Sequence, residues 1–254
     1  MEQVDIWIYV LMFGVALFAG FVDSIVGGGG LITIPALLAV GIPEHVALAT
    51  NKLQANFGSF TAALRFVRGG YIDFKRIWLG IVCTFVGAAL GTWSVLLIDA
   101  TVIRWLVPLL LVAIFLYTIF CPDLGKTERA KKMSEGAFYA IFGIAIGFYD
   151  GFLGPGTGSF WMFAMLALIG LEIKQAIANT KVLNSASNIL SLVVFIMGGH
   201  ILWTLGLVMG AGQAIGAYLG ASTAMKKEIG FIRRLFLAVV AATILKLFYD
   251  LLFK

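Results

Sequence analysis

Long stretches of this chain contain no charged side chain, and this feature restricts the fold more than any other. No Asp, Glu, Lys, Arg or His occurs between Arg76 and Asp99, and only His200 occurs between Val182 and Met225. Uncharged apolar runs of about 18 residues or more are typical of membrane spans. Hydrophobic residues make up 61% of the 254 residues and charged residues 12%, against about 45–50% and about 25% in soluble domains. The chain is therefore predicted to be an all-α integral membrane protein.

The net charge of +5 comes from basic residues concentrated in short loops, at 65–76, 126–132 and 226–234. This distribution is typical of cytoplasmic loops in membrane proteins. We therefore expect the chain to lie in a lipid bilayer and to have no nucleic-acid partner. The two cysteines lack metal-ligand spacing, and we expect neither a metal nor a cofactor. The oligomeric state is left open, a homo-oligomer included.

The chain contains an internal repeat with a constant offset. The glycine-rich stretch GFVDSIVGGGG at residues 20–30 has a counterpart in GFYDGFLGPGTG at residues 147–158. An offset of 129 residues links Lys52 to Lys181, Gly70 to Gly199, Gly87 to Gly216, and Gly91 to Gly220. We therefore predict two transmembrane repeats, residues 1–122 and 136–254, joined by the charged linker 123–135.

Each half contains five apolar segments, which predicts about 8–10 hydrophobic helices. The segments lie near residues 6–22, 31–40, 46–67, 77–98 and 102–120, and near residues 136–149, 159–169, 176–197, 202–225 and 235–253. The second segment of each half spans only about 18 Å of a bilayer core of about 30 Å. Because each of these two segments follows a glycine-rich stretch, we predict a short or broken helix there. Such segments at matching places in two halves indicate the binding site of a transporter.

The basic residues also predict that the two repeats are inverted relative to each other. Loop 65–76 is basic, whereas its counterpart 197–203 has no Lys or Arg. Conversely, loop 99–104 is nearly neutral and its counterpart 226–234 is strongly basic. Equivalent loops are therefore expected on opposite sides of the membrane. The expected topology in the inner membrane has a cytoplasmic linker and both termini outside.

Four charged residues lie in or beside the predicted membrane segments: Asp23, Lys52, Asp150 and Lys181. Charged groups are costly there and usually face the interior of the bundle, where they mark function. Polar side chains recur beside both lysines at helical spacing, as in Lys181, Asn184 and Asn188. Amide and hydroxyl donors beside an ammonium group can replace the hydration shell of a small oxyanion. The predicted substrate-binding side chains are Asn51, Lys52, Asn56, Ser59, Thr180, Lys181, Asn184 and Asn188.

The glycine-rich stretches are predicted to add backbone donors to the same site. Gly29, Gly30, Gly156 and Gly158 stand where exposed N–H groups and the positive end of a short helix would face an anion. Close helix packing through small residues is the alternative use, and the two uses are compatible. Neither stretch has the pattern of a nucleotide-binding loop.

The four charges also allow an interpretation without a ligand. Lys52 and Lys181 would then pair with Asp23 and Asp150 and hold the bundle together. The aspartates are alternatively expected to couple transport to protons. The polar residues clustered at both lysines favour a ligand, because they exceed what one ion pair needs. Gln213 lies in an apolar run, and its side chain is expected to form a hydrogen bond between helices. A donor role at the site is the alternative.

These segments resemble the TauE/SafE sulfite-exporter family. The resemblance covers nearly the whole chain and includes both halves. The stretches that carry it are GFVDSIVGGGG, ALATNKLQANFGS, RFVRGGYID, GFYDGFLGPGTGSF and AIANTKVLNSASN. The resemblance implies a membrane transporter, not an enzyme, from a family associated with export of sulfite, sulfonates or related organosulfur anions. It leaves the substrate itself open.

The expected function is secondary transport, with export as the expected direction, of a small sulfur-containing anion by alternating access around a site at the repeat interface. No ATP-binding motif is visible in the sequence, so an ion or proton gradient would drive it. The alternatives are an anion channel, a transporter of an unrelated small organic anion, and an assembly partner that transports nothing. An intramembrane aspartyl protease with Asp23 and Asp150 as a shared-proton dyad is a hypothesis of another class, and it explains neither lysine.

Overall fold

The computed structural model describes residues 5–95, 131–199 and 201–227, and some positions between 230 and 249. All regular structure within them is helical, which confirms the predicted class. The helices are α1 (Ile6–Val26), α2 (Gly29–Ala39), α3 (Glu44–Arg68), α4 (Phe74–Val95), α5 (Glu135–Phe152), α6 (Thr157–Ala164, continued by a π-helical turn, Met165–Ile169), α7 (Ile173–Gly198) and α8 (Trp203–Lys226). The predicted segment 102–120, the loop 99–104 and most of 123–135 and 235–253 lie outside the described residues.

Four of the described helices are long and apolar enough to cross a membrane: α1, α4, α7 and α8. Their outward faces carry large apolar side chains, among them Trp7, Trp78 and Trp93, each more than half exposed. In a soluble protein such surface would mark an aggregation or interaction site, whereas in a bilayer it contacts lipid. The interior of the bundle combines a hydrophobic core with buried polar side chains, among them Lys52 and Lys181 at 2% and 1% exposure.

The helices repeat along the chain with the offset found in the sequence. Helices α1, α3 and α4 begin at Ile6, Glu44 and Phe74, and α5, α7 and α8 each begin 129 residues later. The short helices α2 and α6 hold the corresponding place in each half, directly after the glycine-rich stretch. The predicted short helix is thus present in both halves, and α6 in addition changes to a π-helical turn at Met165.

Glycines bring two pairs of helices into backbone contact. A Cβ added at Gly220 on α8 would overlap the carbonyl oxygen of Phe21 on α1, and a Cβ at Gly91 on α4 would overlap that of Phe148 on α5. These two contacts are counterparts in the repeat. Without a hydrophobic driving force inside lipid, helix association depends on such close packing of small residues. Each repeat therefore packs one of its helices on the other repeat.

The contacts of α3 and α7 at their ends fix their relative direction. Thr50, near the start of α3, accepts a hydrogen bond from the backbone N–H of Leu202, which follows the end of α7, at 3.1 Å. At the other end, Gly69 just after α3 lies against the side chain of Met225. The Lys174 ammonium, at the start of α7, donates to the carbonyl of the same Met225 at 3.0 Å. Helices α3 and α7, which are repeat counterparts, therefore run in opposite directions.

Candidate functional site

A polar cavity of about 40 Å³ lies where the two short helices begin. A water molecule needs about 10–15 Å³ measured in this way, so the cavity holds about three waters, similar in size to a small oxyanion. Both halves of the chain contribute to its wall. The lining residues are Asp23, Gly28, Gly29, Gly30, Asn51, Lys52, Ala55, Asp150, Gly154, Gly156, Thr157, Gly158, Asn184, Asn188 and Gln213.

The N-termini of α2 and α6 face this cavity. Their N-cap residues, Gly28 and Gly156, have φ of 98° and 83°, in the left-handed region that glycine adopts without steric cost. The first N–H groups of a helix carry its partial positive charge, although those of Leu31, Thr157 and Ser159 already donate to the carbonyls of Gly28, Gly154 and Gly156. At the junction the two glycine-rich stretches touch, since a Cβ at Gly27 would overlap the backbone of Gly158. Both uses predicted for these glycines, packing and exposed donors, are compatible with this geometry.

Lys52 is held by an ion pair with Asp150 on the cavity wall. Its ammonium nitrogen lies 2.8 Å from Asp150 Oδ1. It also donates to the carbonyl oxygen of Asp150 and, at 3.3 Å, to Oδ1 of Asn188. The carboxylate further accepts from the hydroxyls of Thr157, at 3.2 Å, and Ser187. The three N–H donors of Lys52 are therefore matched by three acceptors.

Lys181 forms the second ion pair, with Asp23. The distance from its ammonium nitrogen to Asp23 Oδ2 is 2.8 Å. The other carboxylate oxygen, Oδ1, accepts from the backbone N–H of Gly29 at 2.9 Å, in the first turn of α2. Asp23 thus occupies the N-terminus of a short helix and neutralises a lysine at the same time.

Each lysine pairs with the aspartate of the other half of the chain. Lys52 and Asp150 are 98 residues apart, and Lys181 and Asp23 are 158 residues apart. The pairing that the sequence left as an alternative to ligand binding is therefore present, in a form that joins the two repeats. Removing one partner of a buried pair leaves an uncompensated charge, which costs about 3–5 kcal/mol.

Amide side chains connect the helices around the cavity. Asn51 Oδ1 accepts from Thr33 Oγ1 at 2.6 Å and from Gln54 Nε2 at 2.7 Å, which joins α2 to α3. Asn56 donates at 2.9 Å to the backbone carbonyl of Asn188, which joins α3 to α7. Asn188 Nδ2 in turn donates to Ser59 Oγ, its repeat counterpart 129 residues away, at 3.3 Å.

Some buried polar oxygens near this site have no partner among the described atoms. They are Oδ1 of Asn184, Oε1 of Gln213 and Oγ1 of Thr180. Asn184 and Gln213 line the cavity and are 6% and 2% exposed. Buried polar groups are nearly always hydrogen-bonded, and exceptions require an explanation. Groups that bind a polar ligand or water would account for these unpartnered oxygens.

The predicted site residues divide into two groups in the structure. Ten line the cavity: Asp23, Gly29, Gly30, Asn51, Lys52, Asp150, Gly156, Gly158, Asn184 and Asn188. Four lie behind the wall in the described part of the chain: Asn56, Ser59, Thr180 and Lys181. Of the other lining residues, Gly28, Gly154 and Thr157 belong to the predicted glycine-rich stretches without having been named singly, and Ala55 was missed. Gln213, for which a donor role at the site was the alternative, also lines the cavity.

Comparison with known proteins assigns the chain to a family. Residues 12–247 match the family described as "Sulfite exporter TauE/SafE". This chain belongs to the TauE/SafE family. A "Probable membrane transporter protein" of Haemophilus influenzae is 42% identical over 252 residues, covering 98% of this chain and 97% of the relative. "Probable membrane transporter protein YfcA" of Escherichia coli K12 is 43% identical over 240 residues, covering 94% and 89%.

A more distant relative matches this chain over nearly the whole of both sequences. "Probable membrane transporter protein YunE" of Bacillus subtilis is 24% identical over 265 residues, covering 93% of this chain and 97% of the relative. No solved structure is a significant match. Members of this family are membrane transporters and not enzymes, so the protease hypothesis is set aside. The resemblance to the TauE/SafE family that the sequence segments show is therefore confirmed.

Proposed function

We propose that this TauE/SafE protein is a secondary transporter of small sulfur-containing anions such as sulfite or organosulfonates, with export as the expected direction. The anion would bind in the central cavity and cross by alternating access. The observation that carries the proposal is the cavity itself. It lies where the halves meet, between two helix N-termini, and contains the ion pair of Lys52 with Asp150 and the carboxylate of Asp23. The sulfur chemistry comes from the family description.

The proposal includes an inverted relation between the two repeats. It is supported by the opposite directions of α3 and α7, which are repeat counterparts. The cross-repeat pairs Lys52–Asp150 and Lys181–Asp23 agree with it. In transporters with inverted repeats, the substrate site lies at the repeat interface near the middle of the membrane, and broken helices point their N-termini at anionic groups. Helices α2 and α6 match that description. The linker would then be cytoplasmic and both termini outside, in the inner membrane.

Alternating access requires that the cavity open to one side at a time. A second cavity, of about 160 Å³, lies beside the basic loop 65–76 and is lined by Arg76, Glu135, Tyr139, Gln175 and Asn179, among others. Asn179 lies on the same helix, α7, as Asn184 of the central cavity. We propose that this second cavity is the cytoplasmic vestibule, because it lies on the side marked by basic residues.

Flux through reconstituted protein tests the proposed function. Proteoliposomes containing the protein should show saturable sulfite or organosulfonate flux, whereas Lys52→Ala and Lys181→Ala should reduce it to the level of empty vesicles. The exposed Lys75, which is not a lining residue of either cavity, provides the control: Lys75→Ala should transport normally. Normal flux in both the Lys52 and the Lys181 variant would contradict the proposal. Conductance that does not saturate would favour the channel alternative.

A further inference from the structure

The two lysine–aspartate pairs correspond in sequence but differ in the structure. The Asp150 carboxylate is bonded by the Lys52 ammonium and by the hydroxyls of Thr157 and Ser187. The side chains of Lys52 and Asp150 are only 3% and 5% exposed. All three N–H donors of the Lys52 ammonium are used, so none is left for a ligand, and the carboxylate is already bonded by three side-chain donors.

The pair of Lys181 and Asp23 has fewer bonds. Asp23 accepts from Lys181 and from the N–H of Gly29, and its side chain is 15% exposed. In the described part of the chain, that carboxylate is the one hydrogen-bond partner found for the Lys181 ammonium, although three N–H donors are available. The Lys181–Asp23 pair is therefore the one whose bonds a ligand can replace at lower cost.

Asp23 also lies between the cavity and Lys181. Asp23 is on the cavity wall, whereas Lys181, which it contacts, is not one of the described lining residues. The unpartnered oxygens of Thr180 and Asn184 are on the same helix as Lys181, and both side chains are close to Gly158 at the start of α6. An anion in the cavity would meet the Asp23 carboxylate before it met the lysine, and the two negative groups would compete for the same donors.

We propose that Asp23 is the carboxylate that the substrate anion displaces from Lys181 and from the Gly29 N–H, and that Asp23 takes up one proton as the anion binds. Asp150 keeps Lys52 paired throughout. This inference rests on the proposed anion site and names its coupling group. The proton comes from solvent and forms the O–H bond of a neutral Asp23 carboxylic acid. Lys181 then pairs with the anion, so that a monovalent anion and a proton enter together without a change in net charge.

The other groups around Asp23 do not provide an alternative proton acceptor. Of the described cavity-lining residues, the charged ones besides Asp23 are Lys52 on α3 and Asp150 on α5, which neutralise each other. Helices α2 and α6 contribute glycines and Thr157, and α8 contributes Gln213, all uncharged. Anion and proton would thus move in the same direction, so export would require an outward anion gradient that exceeds any inward proton gradient.

The test is infrared difference spectroscopy of the reconstituted protein when methanesulfonate is added at constant pH. This probe stays ionised near neutral pH, so a new carboxylic-acid C=O band must come from the protein. The band should appear in the unmodified protein and vanish in Asp23→Asn. In Asp23→Glu it should shift in frequency, which keeps the assignment testable if Asp23→Asn folds poorly. Methanesulfonate affinity, measured by thermal stabilisation, should weaken about tenfold per unit of rising pH and lose this dependence in Asp23→Asn.

The outcomes separate this inference from the proposed function. Methanesulfonate binding without the band, or a band that is unchanged in Asp23→Asn or Asp23→Glu, would overturn the role of Asp23 and leave the anion site standing. Failure of both sulfite and methanesulfonate to bind the unmodified protein would contradict the proposed function, and with it the inference.

Discussion

Lys52→Ala is expected to lower the free energy of unfolding by about 3–5 kcal/mol, because it leaves the Asp150 carboxylate buried without its cation. Asp150 is 4% exposed, so bulk solvent cannot fully hydrate the carboxylate once the ammonium is lost. The lost ion pair also joins the two repeats, and its removal weakens their interface directly. Denaturant- or heat-induced unfolding of the detergent-solubilised protein measures this change.

A double variant provides the control for this prediction. Lys52→Met with Asp150→Asn removes both charges and keeps similar side-chain volumes, so it should recover at least about half of the stability lost in Lys52→Ala. The outcome that contradicts the account is a double variant less stable than Lys52→Ala. The pair would then contribute mainly through each residue's separate hydrogen bonds and not through mutual neutralisation.

The second large effect is expected at the glycines where helices touch. Gly91→Ala and Gly220→Ala each place a methyl group against a backbone carbonyl of another helix, Phe148 and Phe21 respectively. A backbone atom cannot rotate away as a flexible side chain can, so the helices must separate. Overpacking typically costs about 1–3 kcal/mol. Each variant should therefore lose at least about 1–3 kcal/mol of its free energy of unfolding and insert into the membrane with low yield.

Gly14→Ala is the matched control, since Gly14 lies in α1 with no atom of another residue near the position of an added Cβ. It should match the unmodified protein or exceed it slightly, because alanine favours the helix more than glycine does. If all three substitutions had the same small effect, close backbone contact would not be what joins α1 to α8 and α4 to α5.

Much of the framework follows from the sequence because it depends on local periodicity. The offset of 129 residues between Lys52 and Lys181 predicts that α3 and α7 are counterparts, and both helices begin in register. The glycine-rich stretches predict the short helices α2 and α6. Local patterns of this kind specify where a helix begins and which of its faces is polar.

The ion-pair and hydrogen-bond partners of the site residues do not follow from the sequence. Both lysines carry similar polar stripes, and no local rule pairs Lys52 with Asp150 across 98 residues. The side chains of Asn56 and Ser59 share a helical face with Lys52, yet they lie behind the cavity wall and bond to Asn188, which lines the cavity. Gln213 lies alone in an apolar run, and only the packing of α8 on α3 brings it to the cavity. Such contacts depend on the three-dimensional arrangement of the helices.

The most direct test of the central claim, a sulfur-oxyanion site at the repeat interface, is thermal unfolding of the purified protein with a panel of sulfite, thiosulfate, sulfoacetate and chloride. An anion at about 100 times its dissociation constant adds about 2.7 kcal/mol of stability, which is readily seen. The account predicts that a sulfur oxyanion stabilises the unmodified protein and Lys75→Ala, but not Lys181→Ala. Equal stabilisation of all three by the same anion would place the binding site elsewhere and contradict the account.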